Sequence, residues 1–184
     1  EDFGDSLMPG VLGRFSQQHP GLRITARVDR NQALLRGVTL GELDLALVWQ
    51  EERGGEVMRS EPLRWVCRTR EELEAFLLRG EPLPLVVFDA PCLLRSRAIA
   101  ALDAAEIPWR IAFTSHSLSG LWAGVSAGLG VTLRTGIGLP DALQTDRGLL
   151  PDAGELGMAL HTCDRSTNAA VSSMRALILR ALNG

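Results

Sequence analysis

The alternation of helix-like and strand-like patterns of apolar residues constrains the fold of this chain more than any other feature. Apolar residues at 7–15 have helical spacing, those at 22–28 alternate with polar neighbours, and the exchange continues to the end of the chain. Strands that alternate with helices are typical of a parallel sheet with helices on both faces. Because the pattern runs once before about residue 67 and once after it, we predict an α/β fold of two lobes.

Turn and capping signals limit the predicted elements. Asn31 is placed to cap a helix, and Thr69-Arg70-Glu71-Glu72 has the capping-box pattern. The strand that ends at Trp49 is apolar throughout, as expected for a buried strand of a parallel sheet. Residues 135–155 are predicted to be irregular. The predicted helices cover 7–19, 31–40, 69–78, 94–106, 117–127 and 171–182, and the predicted strands 22–28, 43–49, 57–67, 85–88, 110–114, 130–133 and 156–163.

The charges of the chain exclude several functions. The net charge is −3, and no arginine cluster forms the basic face of a nucleic-acid binder, so we predict that the chain itself does not contact DNA. All 19 basic residues are arginine. A chain without lysine has neither a Schiff-base lysine nor the phosphate-binding lysine of a P-loop.

Cysteine usage and hydropathy bear on the compartment. Cys67, Cys92 and Cys163 are odd in number and far apart, which argues against a disulfide framework or a zinc knuckle and favours a reduced, cytoplasmic chain. No apolar run approaches the roughly 20 residues that cross a bilayer. The first residues do not resemble a signal peptide. They do not resemble a natural beginning either, so we expect the chain to have been cut from within a longer protein.

Catalytic and metal patterns are weak. Gly124-Val125-Ser126-Ala127-Gly128 fits the serine-hydrolase motif, and Asp141 or Asp146 and then His161 follow in the hydrolase order. That motif must stand between a strand and a following helix, whereas here it ends a predicted helix. His161-x-Cys163 and His19 are too scattered for a metal site, and no G-x-G-x-x-G motif is present. We predict no catalysis, no cofactor and no metal.

The turn after the predicted strand 110–114 is the main candidate binding site. Thr114 ends the strand, and the hydroxyls of Ser115, Ser117 and Ser119, with the free N–H groups of the next helix, are suited to hold an anion. The alternative is that Ser117 only caps its own helix. Pro91-Cys92 lies at the equivalent turn of the same lobe, with Cys92 as a pocket-lining thiol or, less favoured, a redox switch.

Three runs of residues resemble a known family. The run Leu-Met-Pro-Gly-Val-Leu-Gly-Arg-Phe-Ser-Gln-Gln-His-Pro-Gly-Leu-Arg-Ile (7–24) resembles the opening of the effector-binding domain of LysR-type transcriptional regulators. Gly41-Glu42-Leu43-Asp44-Leu45-Ala46-Leu47 is close to the family's G-E-L-D-L-A-I and is the most specific match. Ala127-Gly128-Leu129-Gly130-Val131 is similar to its A-G-L-G-I, and all three occur in the family's order.

The resemblance implies a fold and an assembly. The fold is the type 2 periplasmic-binding-protein fold, two Rossmann-like lobes with a hinge, here 1–66 plus 163–184 as lobe I and 67–162 as lobe II. A small, anionic effector would bind in the inter-lobe cleft and control DNA binding through an N-terminal winged helix-turn-helix domain absent from this chain. Members form homodimers, and tetramers when intact, in which the helix at 31–40 packs against the partner's helix at 94–106.

The resemblance also implies site residues. Asn31 and Gln32 match the polar ligand-contact turn of the first lobe, with helix capping as the alternative role. Trp49 is expected toward the cleft mouth or, alternatively, as a half-buried core aromatic. Arg134 is expected to pair with an anionic effector or else to face solvent.

The sequence departs from the family pattern at two places. The family's first strand, which contributes to the sheet and to the ligand site, would precede Glu1. Arg134-Thr135-Gly136 stands where the family has a proline and, with Trp49, is similar to a subgroup of motility and virulence regulators. The alternative functions are a solute-binding protein of a transporter and, less favoured, a serine hydrolase.

Overall fold

A computed structural model describes residues 2–51, 57–166 and 168–183. The chain divides into two units, Glu1–Glu61 with Leu156–Gly184 (unit 1) and Pro62–Glu155 (unit 2). No helix of the described part is long and apolar enough to cross a membrane. In chain order the elements are α1 (Asp2–Ser6), α2 (Met8–Gln18), α3 (Asn31–Leu40), β1 (Leu45–Gln50), β2 (Val57–Pro62), β3 (Arg64–Cys67), α4 (Arg70–Leu78), β4 (Leu83–Phe88), α5 (Leu93–Ala104), β5 (Trp109–Ser115), α6 (Leu118–Ser126), β6 (Thr132–Arg134), β7 (Gln144–Thr145), β8 (Glu155–Thr162) and α7 (Ala169–Asn183).

Unit 1 is built on a three-stranded sheet in the order β1-β8-β2. β1 runs antiparallel to β8, from Leu45 opposite Thr162 to Gln50 opposite Gly157. Val38 of α3 and Val48 of β1 belong to one buried apolar cluster between the helix and the sheet. Helix α2 packs against α7. The prediction that the strand ending at Trp49 lies in a parallel sheet is wrong for the described strands, because its partner is the antiparallel β8.

Unit 2 contains the parallel pair that the sequence predicts. β4 and β5 are parallel, from Leu83 opposite Trp109 to Phe88 opposite Ser115. A parallel bridge between Leu85 and Val131 leads into β6, which continues in an antiparallel sheet with β3 and β7. Helix α6 buries its apolar face on β4 and β5, and α5 packs on β6. These helices cover the parallel strands as an α/β arrangement requires.

Local signals located the helix ends well. The Thr69 hydroxyl accepts a hydrogen bond from the N–H of Glu72 at 3.2 Å, as the capping box predicts. Helix α3 ends at Gly41, whose φ of 75° is a left-handed conformation that glycine adopts without strain. Both helices therefore have the limits that the sequence predicts to within about two residues.

The strand predicted at 22–28 does not form. The segment lies outside every strand of the structure, and Leu22 and Val28 are 51% and 62% exposed. Alternation of polar and apolar residues supplies a strand with an apolar face, but a strand also needs a neighbour for its N–H and C=O groups. Among the described residues no strand pairs with this segment, and its residues are exposed.

Candidate functional site

Three strands of unit 2 end at one edge, and the candidate site lies there. β4 ends at Phe88 and β5 at Ser115, which face each other in the parallel register. Beyond them the N–H of Asp89 donates to the carbonyl of Ser115 at 3.2 Å. β6 ends at Arg134, whose guanidinium lies 5.1 Å from the centre of the Phe88 ring. The structure therefore groups the residues that follow three separate strands, as expected where parallel strands end.

The serines after β5 form a tight hydrogen-bonded turn. The buried Ser115 hydroxyl donates to the carbonyl of Ser117 at 2.9 Å and accepts from the N–H of Ser117 at 3.1 Å. The exposed Ser117 hydroxyl accepts from the N–H of Gly120 at 3.2 Å and lies 3.2 Å from the hydroxyl of Ser119. Ser117 therefore caps α6 and also presents its hydroxyl, with that of Ser119, at the edge of unit 2.

Gly120 is a site residue that the sequence did not single out. A methyl group at this position would clash with the hydroxyl of Ser115 and lie 3.1 Å from that of Ser117. The turn therefore depends on a residue without a side chain in the first turn of α6. Thr114, by contrast, is exposed while Ser115 is buried, because neighbouring residues of a strand point to opposite faces.

A contact between two turns joins the ends of β4 and β5. His116 Nδ1 lies 3.1 Å from Asp89 Oδ2. This contact adds to the backbone bond between Asp89 and Ser115 and fixes the two turns relative to each other. Asp89 was not predicted, since only its place directly after an apolar strand could have drawn attention to it.

The Pro91-Cys92 turn begins helix α5. Cys92 is the N-cap residue, and its carbonyl accepts from the N–H of Ser96 at 3.0 Å. Pro91 is exposed, whereas Cys92 is half-buried and lines a small pocket that is partly open to solvent. Arg134 lines the same pocket and is 2% exposed, so of its two predicted roles the solvent-facing one is wrong.

Arg95 is a second basic residue of this pocket. It stands in the first turn of α5, and its Nη1 donates to the carbonyl of Phe88 at 3.3 Å. Arg95 and Arg134 therefore both contact Phe88, one through its carbonyl and the other over its ring. The sequence showed only that Arg95 is close to Cys92, because β6, which carries Arg134, lies far along the chain.

In unit 1 the three predicted site residues have different surroundings. The Asn31 amide donates to the carbonyl of Trp49 and accepts from its N–H at 3.3 Å. The N-cap of α3 is Arg30, so the prediction that Asn31 caps this helix is wrong. Gln32 follows it and is exposed.

Trp49 lies in the interior of unit 1. It is 6% exposed, its Nε1 donates to Asp2 Oδ2 at 2.9 Å, and its ring centre lies 4.8 Å from that of Phe3. These contacts correspond to the core role of Trp49 that we considered as the alternative. Asp2, 3% exposed, was not predicted, because nothing in the first residues indicates a buried carboxylate.

The hydrolase motif has structural explanations. Ser126 ends α6 and Gly128 follows it with a φ of 75°, so the serine does not stand between a strand and a helix. The Asp146 carboxylate accepts from the backbone of Leu149 and Leu150 in a local turn. His161 Nε2 lies 3.4 Å from Gln50 Oε1 in unit 1. Within the described ranges no three metal-binding side chains are grouped together.

Comparison with known proteins gives one consistent family. The sequence model described as "LysR substrate binding domain" matches residues 1–183. The chain is 31% identical over 137 residues to the HTH-type transcriptional regulator PecT of Dickeya dadantii (strain 3937). This match covers 73% of the chain and 42% of PecT. It is 29% identical over 164 residues to the HTH-type transcriptional regulator DgdR of Burkholderia cepacia, covering 87% of this chain and 54% of DgdR. The chain therefore spans about half the length of these relatives.

Solved structures support the same fold. The C-terminal domain of a probable LysR family transcriptional regulator from Rhodococcus sp. RHA1 has a TM-score of 0.72 at 22% identity, covering 98% of this chain and 94% of that one. The effector binding domain of QuiR in complex with shikimate has a TM-score of 0.72 at 13% identity, covering 97% of this chain and 91% of that one. At these identities the likeness concerns the fold.

Proposed function

The chain belongs to the LysR substrate binding domain family, and we propose that it binds a small anionic effector for a bacterial transcription regulator. Its fold is the α/β fold of that family, of the type 2 periplasmic-binding-protein kind. The observation that carries the proposal is that Ser117 with the first turn of α6 follows the end of β5, and Arg134 ends β6, at the same edge of unit 2.

The chemistry of this edge suits an anion. The N–H groups in the first turn of a helix point out of its N-terminus, and in α6 the Ser117 hydroxyl accepts from that of Gly120. The helix dipole favours negative charge at a helix N-terminus. The hydroxyls of Ser117 and Ser119 add donors, and a guanidinium matches the geometry of a carboxylate. QuiR, solved with shikimate, has a carboxylate ligand in the same fold.

The predicted residues then fall into two groups. We propose that Ser117, Arg134 and Cys92 contact the effector, with Thr114, Ser115 and Pro91 shaping the surrounding turns. In unit 1 the exposed Gln32 is the proposed contact, while Asn31 and Trp49 hold each other in place. The location of the effector in a cleft between the lobes stays a prediction.

The remaining features of the proposal concern the intact protein. We propose that it is not an enzyme, that it acts in the cytoplasm as a homodimer that forms tetramers when intact, and that it contacts DNA through an N-terminal domain outside these residues. The net charge of −3 supports a separate DNA-binding part, because duplex DNA repels a chain of that sign.

A thermal-shift screen tests the effector proposal. The 184-residue chain is heated with small carboxylates, aromatic acids, amino acids and sulfur compounds, because a ligand that binds only the folded state raises the midpoint. Any compound that raises it is then tested on Ser117→Asp and Ser117→Asn. Both substitutes cap helices well, but only aspartate brings a negative charge to the site.

The pair of variants separates charge from stability. We expect Ser117→Asn to keep the rise in midpoint and Ser117→Asp to abolish it. An equal rise in both variants would exclude an anion at this turn. No rise with any compound would contradict effector sensing by this chain.

A further inference from the structure

The turns that precede α5 and α6 are joined by a contact whose charge depends on pH. Nδ1 of His116, directly after β5, lies 3.1 Å from Oδ2 of Asp89, directly after β4. We propose that this contact is a pH-dependent clamp, which tightens when the His116 imidazole takes up a proton. The inference rests on the proposed function and deepens it by naming a regulation of the same site, because Ser117 follows His116 directly.

The protonation state of His116 changes the nature of the contact. An uncharged imidazole with its hydrogen on Nδ1 donates one hydrogen bond to the Asp89 carboxylate. A protonated imidazole donates the same bond between opposite charges, and charge-assisted hydrogen bonds are stronger than neutral ones. Imidazole is the side chain that ordinarily changes its charge between about pH 5 and 8. The contact is therefore expected to be strongest at the acidic end of that range and to weaken as the pH rises.

A backbone hydrogen bond lies beside the contact and joins it to the strands. The N–H of Asp89 donates to the carbonyl of Ser115 at 3.2 Å, one residue beyond the last pair of β4 and β5, Phe88 opposite Ser115. Bonds at the ends of elements open most easily. A stronger bond between the side chains of Asp89 and His116 keeps the two segments together, so the Asp89 N–H is open for a smaller fraction of the time.

The serine turn transmits the clamp to the proposed effector contact. The Ser115 hydroxyl bonds to both backbone groups of Ser117, so His116 is held between two residues that are tied to each other. A clamp on His116 therefore limits the movement of Ser117 and of the first turn of α6. An imidazolium also brings a positive charge next to Ser117, which attracts an anion. Acidification should favour an anionic effector at this turn for both reasons.

The neighbouring charges do not change in this pH range. Arg95 of α5 donates to the carbonyl of Phe88, and Arg134 at the end of β6 lies over the Phe88 ring. Arginine stays charged at every pH considered, so neither group causes a change with pH. Helix α6, Leu118–Ser126, contains no charged residue. The other two histidines, His19 and His161, belong to unit 1, which leaves His116 as the histidine of unit 2.

Exposure to solvent limits the strength of the clamp. The side chains of His116 and Asp89 are 86% and 34% exposed. Ion pairs at such positions are weakened by water and contribute little. We therefore expect protonation of His116 to change the open fraction of the turn by a small factor, about two- to fivefold.

Solvent exchange of the Asp89 N–H, measured by NMR on the 184-residue chain, tests the clamp without any effector. The rates at about pH 5.5 and about pH 8 are each divided by the rate of an unstructured peptide at the same pH, which leaves the open fraction of this N–H. We expect that fraction to be about two- to fivefold smaller at the acidic pH. An open fraction that is equal at both values, or larger at the acidic one, would overturn the clamp.

A pair of variants assigns the change to one imidazole. His116→Gln keeps a hydrogen-bond donor but does not ionise, and the exposure of His116 lets the fold tolerate it. The open fraction of the Asp89 N–H should then no longer depend on pH. His161→Gln makes the same substitution in unit 1 and should leave the dependence intact. Dependence that persists in His116→Gln, or that both variants lose equally, would show that His116 is not its cause.

The exchange measurement keeps this proposal separate from the previous one. Opening that depends on pH and that His116→Gln makes constant supports the clamp, even if the thermal-shift screen finds no ligand and so contradicts the proposed function. An effector from that screen that depends on Ser117 but binds equally well at about pH 5.5 and about pH 8 would support the proposed function and overturn the regulation.

Discussion

The side-chain amide of Asn31 binds both backbone groups of Trp49. Its Nδ2 donates to the carbonyl of Trp49, and its Oδ1 accepts from the N–H of Trp49 at 3.3 Å. The start of α3 is thereby joined to the end of β1. The indole of the same Trp49 donates to the buried Asp2, so three segments of unit 1 meet at this residue.

Asn31→Ala should lower the free energy of unfolding by about 1–3 kcal/mol, because it leaves two backbone groups of the buried Trp49 without these partners. Urea denaturation followed by circular dichroism measures the change. Gln32→Ala is the control, since Gln32 is exposed in the same turn, and it should change stability by less than about 0.5 kcal/mol. Equal effects of the two substitutions would show that the Asn31 bonds contribute nothing.

Gly120→Ala should destabilise unit 2 although alanine is the better helix former by about 1 kcal/mol. The added methyl group would displace the Ser115 hydroxyl, which makes two hydrogen bonds to the backbone of Ser117. We expect a net loss of about 1 kcal/mol. Gly13→Ala is the matched control, because Gly13 lies in α2 with no atom within 4 Å of the added carbon, and it should stabilise the chain. A stabilising Gly120→Ala would show that the serine turn adapts freely.

Alkaline pH should destabilise the chain through Cys67. Burial raises the pKa of this thiol from 9.0 to about 11, and the charges of Asp146 and Glu72 act in the same direction. A thiol that ionises less readily in the folded state stabilises the fold fully below the unfolded pKa of about 9 and loses this contribution as the pH rises to about 11. We expect a loss of about 2–3 kcal/mol across this range.

The composition removes two residue types that would otherwise titrate in this pH range. The sequence has no tyrosine, and all its 19 basic residues are arginine, so no tyrosine or lysine titrates in the same range. Urea denaturation of Cys67→Ala should show a shallower decline with pH, while Cys92→Ala should decline like the unmodified chain. A decline that Cys67→Ala leaves unaltered would exclude this thiol as its cause.

Leu22→Gln should change stability by less than about 0.5 kcal/mol, because Leu22 is 51% exposed in a segment outside every strand. Leu121→Ala should cost about 2–5 kcal/mol, since Leu121 is 1% exposed in the core of unit 2. Thermal or urea unfolding compares the two. A large loss from Leu22→Gln would indicate that residues 22–28 pack against something in solution.

Much of the candidate site in unit 2 was predictable, because strand ends and helix starts have local signals. Ser117 caps α6 where the sequence places a helix start, and Pro91-Cys92 precedes α5. The contact of Arg95 and Arg134 with the same Phe88 was not predictable. Their distance along the chain leaves no periodic pattern that would relate them.

The sequence by itself determined the α/β class, the family and, to within about two residues, the limits of helices α2 to α7, since each depends on residues only a few positions apart or on a short motif such as Gly41-Glu42-Leu43-Asp44. It did not predict α1. Only the tertiary structure decided that β1 pairs antiparallel with β8, that residues 22–28 stay unpaired, and that Asn31 binds Trp49 instead of capping α3. The physical reason is that a local pattern states which groups need a partner. Which partner they find depends on segments that folding brings together from far along the chain.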